Sequence, residues 1–320
     1  MKWSFSAHTT MRRCQRQFVF AQIIAHHNAR DPHRREAFIL RQLQELSTWQ
    51  GSLVHAVLAT DALAALRAGL PLDPAQLTAA GRELARRQLA FSSARRYRQP
   101  GQTKASAGDA YAALVEHEHG REISADALAA VDSTLARCFK NLAGQEDFLR
   151  LLRAGFGYAA EIPLSFSLNG ITIAATLDLA FSRRGGRPTV VDWKVAESET
   201  SDYSRQLLVY ALVVARCGRW GGVAAEDIEL YEVNLLKNHV QRHAMSTERL
   251  DEALDFTYRS AVELEALVGD ETQHTLDLND FDVAEQPMTC LHCSFRPLCS
   301  AQLEAAGHAK DGDVAYGRQR

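Results

Sequence analysis

Asp192 and Lys194 interrupt an apolar run, Val190-Val191-Asp192-Trp193-Lys194-Val195. Side chains alternate along an extended chain, so Asp192 and Lys194 share one face and Val191, Trp193 and Val195 take the other, towards a core. Asp178 falls near the end of the preceding strand and can meet Asp192 across an antiparallel pair. Two carboxylates converging at a strand end make a hard-oxygen site suited to Mg²⁺ or Mn²⁺. A lysine beside them can orient a water and stabilise negative charge developing on a phosphate. An ordinary Asp–Lys ion pair fits the same residues, but charge inside an apolar strand carries a desolvation cost.

A second chemical motif lies near the C-terminus. Cys290-Leu-His-Cys293-Ser-Phe-Arg-Pro-Leu-Cys299 gives C-x2-C-x5-C. Three thiolates within ten residues can converge on one metal or cluster, with a fourth ligand from elsewhere. Zinc sites of four cysteines usually show two C-x2-C pairs, and this chain has one. Iron–sulfur is thereby favoured modestly over zinc. Cys138 and Cys217 fall within helices and read as small hydrophobes, and His292 as an exposed residue.

The elements that must carry these groups follow from periodicity. Residues 7–25, 34–69, 75–92, 109–119 and 124–143 read as helices, with Pro71 and Pro74 as interruptions and Ser124 as an N-cap. From Glu161 to Leu168 apolar and polar residues alternate, Asn169-Gly170 signals a tight hairpin, and Ile171–Phe181 is the return strand. Thr189–Val195 is a third strand and Tyr203–Arg216 a helix. Ile228–Leu236 and Val240–Met245 are further strands, and Thr247 opens a helix to about Val268. Tyr203, Gln206 and Tyr210 then share one helix face. Glu161 reads as a carboxylate at a strand edge. The pattern is an α/β core with a mainly helical N-terminal elaboration.

Composition limits the function classes. The chain has 320 residues, 46% hydrophobic and 23% charged, which is ordinary for a packed globular protein. No apolar run is long enough to span a membrane and no export signal is evident, so no membrane partner and a cytoplasmic location are expected. The net charge of −3 hides an asymmetry. Residues 1–110 carry 16 basic and 7 acidic residues, whereas residues 201–320 carry 11 and 20. The densest basic stretch, Arg82 to Lys104, holds Arg86, Arg87, Arg95, Arg96 and Arg98, with Phe91 and Tyr97 interleaved. Basic groups can track phosphates and aromatic rings can stack on bases, although a solvated helix face explains the stretch about equally well. No Gly-x-x-x-x-Gly-Lys-[Ser/Thr] motif occurs, so a motor such as a helicase would be a separate partner.

Asp178 followed by Asp192-Trp193-Lys194 after a hairpin resembles the PD-(D/E)XK nuclease core in its RecB-type form, which includes CRISPR-associated RecB-like exonucleases and AddB-type nuclease domains. Gly51-Ser-Leu-Val-His55 is similar to that branch's upstream Gly-x-x-x-His motif, and Gln206-Leu-Leu-Val-Tyr210 to its downstream Gln-x-x-x-Tyr motif. Ser6-Ala-His-Thr-Thr-Met-Arg-Arg-Cys14, with Phe18 and Phe20, resembles the N-terminal helix of the iron–sulfur nucleases. The resemblance implies a restriction-endonuclease-like fold, a central mixed sheet flanked by helices, with a helical insertion and a C-terminal Fe–S segment. The implied segments are 1–58 (N-terminal helices of the nuclease fold), 59–155 (insertion), 156–268 (nuclease core) and 269–320 (cluster segment and tail).

The implied site has His55, Asp178, Asp192 and the Trp193 backbone carbonyl on Mg²⁺ or Mn²⁺. Lys194 positions or activates the attacking water, and Gln206 and Tyr210 support the site or the DNA backbone. Cys14, Cys290, Cys293 and Cys299 would hold a [4Fe-4S] cluster clasping the chain ends. The implied activity is metal-dependent DNA cleavage, with single strands or DNA ends as substrate. Repair, recombination or CRISPR adaptation is the setting, with a helicase, recombination or CRISPR protein as partner in trans. A catalytically silent DNA-binding module and a zinc-stabilised adaptor are the other classes in view.

Overall fold

Asn169 and Gly170 both take left-handed backbone, with φ of 48° and 86°, as a two-residue hairpin loop of the favoured twist requires. In the protein's structure, a computed structural model, this turn joins two long strands, β2 (Phe156–Leu168) and β3 (Ile171–Ser182). The structure describes residues 2–197, 203–220, 222–269 and 276–305, and side chains as far as residue 300. Around the hairpin stand β1 (Lys2–Trp3), β4 (Pro188–Lys194), β5 (Glu229–Asn234) and β6 (His239–His243). The sheet is mixed, in the order β1-β3-β4-β5-β6 with β2 also on β3. β1–β3 and β4–β5 are parallel and the other pairs antiparallel.

The chain divides into two units: residues 1–8 with 44–267, and residues 9–43 with 268–320. In the first unit, one sheet face carries Leu179, Val191, Trp193, Tyr231 and Val233. These residues share a hydrophobic cluster with Leu53, Val54, Leu84, Leu135, Phe139, Leu142 and Phe148, which come from the helices Leu46–Val57, Pro74–Ser93, Ala125–Gly144 and Glu146–Arg153. Helices of the 59–155 stretch therefore pack against this face of the sheet. The other face packs Leu177, Ala180, Val190 and Leu230 against Leu207, Tyr210, Ala211 and Val214 of the crossover helix Ser204–Arg216. Each such fully buried aliphatic side chain contributes roughly 1.5–3 kcal/mol.

Two expectations change. Residues 109–119 are not one helix: a short 3-10 turn (Gly108–Ala110) and the α-helical Val115–Glu118 are separated by the non-helical Tyr111–Leu114. Tertiary hydrogen bonds override the helical pattern, because Ser92 Oγ accepts the Leu114 N–H at 3.0 Å and Gln44 N–H donates to Ala113 O at 2.8 Å. Phe91 and Tyr97 are not stacking platforms. Both are core residues, with Tyr97 only 2% exposed and its hydroxyl donating to Glu118.

In the second unit the segment after Arg13 is tied to the segment before Cys290. Arg16 Nε donates to Phe281 O at 2.9 Å, the Asp282 N–H donates to Gln15 Oε1 at 2.9 Å, and the rings of Phe20 and Phe295 stack at 5.4 Å. Among the described residues, no helix is long and apolar enough to cross a membrane.

Candidate functional site

The sheet opens where the carboxylates gather. On one edge of β3, β1 pairs only with Thr172 and Ile173, while β4 pairs only from Leu179 to Ser182. Between these ladders the backbone edge is unpaired. There the Trp193 N–H donates to Asp178 Oδ2 at 2.8 Å, so the strand pairing ends on a carboxylate that it also orients.

His55 reaches this gap from the helix Leu46–Val57, whose Trp49, Leu53, Val54 and Val57 anchor it in the core. Its Nδ1 lies 3.7 Å from Asp178 Oδ2 and 3.8 Å from Glu161 Oε1. Ligand atoms of His55, Glu161 and Asp178 all fall within 4.8 Å of one another. Two carboxylates and an imidazole at that spacing suit a divalent cation.

The electrostatics agree. Burial pushes the Asp178 carboxyl up to about 6 against the attraction of His55, with Asp192 and Glu161 adding repulsion. Burial alone would lower the His55 imidazole, but Glu161 and Asp178 outweigh it and raise its pKa. A bound cation relieves both the repulsion and the desolvation.

Glu161, expected from sequence at a strand edge, belongs to this group. It stands inside β2 with φ +47°, an uncommon conformation for a side chain with a Cβ. Its neighbours Ala160 and Ile162 pair with Leu179 and Leu177, which sets Glu161 opposite Asp178. Left-handed backbone within a strand marks strain, and such strain concentrates at functional sites.

Asp192 lies beside this group but outside its 4.8 Å circle. It is 1% exposed, and its Oδ2 sits 2.6 Å from Lys194 Nζ. Burial raises its carboxyl, while Lys194, His55 and His243 draw it back. The shared face expected for Asp192 and Lys194 is present, with Val191, Trp193 and Val195 on the opposite, core side.

Lys194 is held on three sides. Gln206 Oε1 accepts from its Nζ at 3.2 Å, Asp192 pairs with it, and the Tyr203 ring centroid lies 4.0 Å away. Gln206 Nε2 in turn donates to the Tyr210 hydroxyl at 2.6 Å. Burial, then the charges of Asp192 and Asp178, raise the Tyr210 phenol and keep it neutral. The helix spacing thus produces a chain of contacts, Asp192–Lys194–Gln206–Tyr210, with Tyr203 of the same helix face stacked over Lys194. Glu232 on β5 pairs in register with Asp192, and its carboxylate lies 3.4 Å from His243.

The cysteine set falls within the second unit. Cys14 caps the helix Gln15–Val19, its sulfur accepting from the Gln17 N–H. Burial pushes the Cys293 thiol up to about 11, and Cys14, Cys299 and Cys290 raise it further. Burial also raises Cys299; Arg16 opposes, and Cys14 and Cys290 again add to the rise. Cys14 and Cys290 thus lie near enough to Cys293 and Cys299 to influence them, although no three of the four sulfurs approach as tightly as the His55 group. All six cysteines are free. Cys138 is buried, Cys217 half-buried and His292 exposed.

The arginines proposed for DNA are partly engaged. Arg86 pairs with Glu83 at 2.7 Å, Arg87 lies 4.0 Å from the same carboxylate, and Arg95 and Arg98 both reach Glu118. Arg96 is exposed.

A family model described as the PD-(D/E)XK nuclease superfamily matches residues 2–300. Among solved structures the chain is similar to one titled "Crystal structure of SSO0001". That match has 12% identity and a TM-score of 0.28, and it covers 56% of this chain and 78% of that chain. Among curated proteins none matches.

Proposed function

This chain belongs to the PD-(D/E)XK nuclease superfamily, and from that premise we propose that it is a divalent-metal-dependent deoxyribonuclease acting on single strands or DNA ends. One observation carries the reading: His55, Glu161 and Asp178 converge within 4.8 Å next to a lysine restrained by Asp192, Gln206 and Tyr203. A structural ion pair needs no third carboxylate and no imidazole.

His55, Glu161 and Asp178 would hold Mg²⁺ or Mn²⁺, with Asp192 and the Trp193 carbonyl as the expected further ligands. When bound, the cation supplies Lewis-acid stabilisation of phosphate charge and a more acidic water. Lys194 supplies the fixed ammonium. Asp192 and Gln206 restrict its reach, so it meets a phosphate oxygen or the attacking water without paying for reorganisation. Tyr210 receives the Gln206 amide N–H, which leaves Gln206 Oε1 turned to Lys194. Trp193 fixes Asp178 through its backbone N–H.

Cys14, Cys290, Cys293 and Cys299 form the proposed ligand set of a [4Fe-4S] cluster. Cys14, Cys290 and Cys299 all lie near enough to influence the Cys293 thiol, which supports that assignment. The cluster's part is structural, because hydrolysis transfers no electrons. The exposed Arg96, with Arg87, contributes to the strand path, and the biological setting is repair, recombination or CRISPR adaptation with a separate partner.

The test is a cleavage assay on end-labelled single- and double-stranded DNA with Mg²⁺ and with Mn²⁺. Asp192→Asn should abolish cutting while circular dichroism stays unchanged. A folded Asp192→Asn protein that cuts like wild type removes the site assignment.

A further inference from the structure

At the far end of the same strands, the turn Arg183-Arg184-Gly185-Gly186-Arg187 meets the C-terminus of the helix Glu146–Arg153. Together they enclose a cavity of about 560 Å³ lined by Arg153, Arg183, Arg184, Arg187 and Glu229. Four guanidinium groups face one carboxylate, in a chain whose total charge is −3.

The charges are arranged unequally. Glu229 is buried and accepts from Arg183 at 2.6 Å, with Arg242 at 3.4 Å. Arg187 pairs with Asp227 at 3.0 Å. Arg153 and Arg184 are exposed, and neither has a partner among the described residues. Glu229 thus fixes one wall of the cavity, and two guanidinium forks remain open to an anion. Planar guanidinium groups suit phosphate oxygens. Gly185 and Gly186, at φ +84° and +77°, present no side chain, and nothing lies within 4 Å of where one would project.

Phe156 decides between a small phosphate and a nucleic-acid strand. It pairs with Ser182 across the β2–β3 ladder, immediately before Arg183. It is 55% exposed, although an aromatic ring ordinarily gains by burial. Phe156 does not line the cavity itself, but a solvent-open ring three residues after Arg153, paired with the residue before Arg183, suits the stacking-plus-charge mode of single-strand binding.

We propose that this arginine cavity is a second contact for single-stranded nucleic acid, with Arg153 and Arg184 on its phosphates and Phe156 under a base. The choice of ligand class rests on the nuclease reading. Along β4 the cavity and Asp192 lie about 15 Å apart, at roughly 3.3 Å per residue, so this contact is separate from the metal centre.

The test measures binding of a fluorescein-labelled oligothymidylate by anisotropy, in EDTA, across a salt series. The Arg153→Ala/Arg184→Ala protein should bind roughly tenfold more weakly, and its log–log salt slope should be shallower by about 1.4, for two lost phosphate contacts on a single strand. Phe156→Ala should lose between about 5-fold and 100-fold in affinity with the slope unchanged. Both changes sit on exposed side chains, and thermal melts confirm the fold; Arg184→Gln alone serves if the double variant melts early. Unchanged oligonucleotide affinity in the arginine variant overturns the proposal. So does a variant that loses inorganic tripolyphosphate but keeps the oligonucleotide. Because EDTA removes cleavage from the measurement, a protein that never cuts DNA still passes or fails here.

Discussion

β3 and β4 carry opposite chemistry at their two ends. At one end, Glu161, Asp178 and Asp192 crowd acidic groups around His55 and Lys194. At the other, Arg153, Arg183, Arg184 and Arg187 surround Glu229. At the acidic end Asp192 is buried and Asp178 half-buried, with Glu161 exposed beside them, so desolvation, and after it repulsion, lifts Asp178 to about 6; the group is poised for a cation. The basic end is largely open to water, so its charges stay separate and two of them stay unpaired. The difference shows that burial, more than charge count, turns a cluster into a tight ion site. The helix Pro74–Ser93 and the segment after it make the same point. That stretch is the most basic in the sequence, yet Glu83, Glu118 and Asp132 take up much of its charge.

The largest effect should come from the acidic end. Lys194→Ala should lower turnover by about 10²–10³-fold with folding intact, the usual cost of removing one preorganised charge. Single-turnover kinetics at saturating DNA read it directly. A variant within a few-fold of wild type would mean that Lys194 only balances Asp192.

Metal binding should follow pH through the same group. Protons on Asp178 and His55 compete with the cation, so affinity for Mn²⁺ should climb as pH rises through about 6. The stability of the metal-free protein has the opposite sign. Asp178's folded pKa is raised, so its contribution is complete below the ordinary carboxylate value and is lost as pH rises towards 6. Glu161→Gln removes a charge that raises both neighbours. It should weaken Mn²⁺ binding, roughly 10–100-fold on the scale of groups supporting a metal site. The midpoint should move to lower pH, as calorimetric titration at several pH values would reveal. An unchanged profile would remove Glu161 from the centre.

The smallest effect should come from Arg86→Ala/Arg87→Ala. Those side chains are exposed and near Glu83, and fully exposed pairs of this kind contribute little. Oligonucleotide affinity should change less than in the Arg153→Ala/Arg184→Ala protein. The reverse ranking would return the main strand path to the helical region.

Much of the candidate site's geometry is legible in local pattern. Asn169-Gly170 sets the hairpin, alternation puts Asp192 with Lys194, and a helical repeat puts Gln206 by Tyr210. Glu161 was also within reach. A two-residue turn fixes the register of the whole hairpin, and counting back from Leu168–Ile171 sets Glu161 against Asp178. What hid it is the left-handed backbone, which no composition rule announces for a glutamate in a strand. The arginine cavity was beyond reach for another reason. Its residues come from a helix, a turn and β5, and no linear window contains them. Phe91 and Tyr97 misled because a ring among arginines reads alike whether it points outward or into a core.

His55 rides on a helix, while Glu161 and Asp178 ride on the hairpin, far along the chain. The cation's binding pocket therefore exists only after that helix has docked on the sheet. Any ion captured there acts as a tertiary staple, and its binding free energy is credited to the assembled state alone. Heat resistance should then track free divalent-ion concentration, and chelation should loosen the helix-to-hairpin seam first.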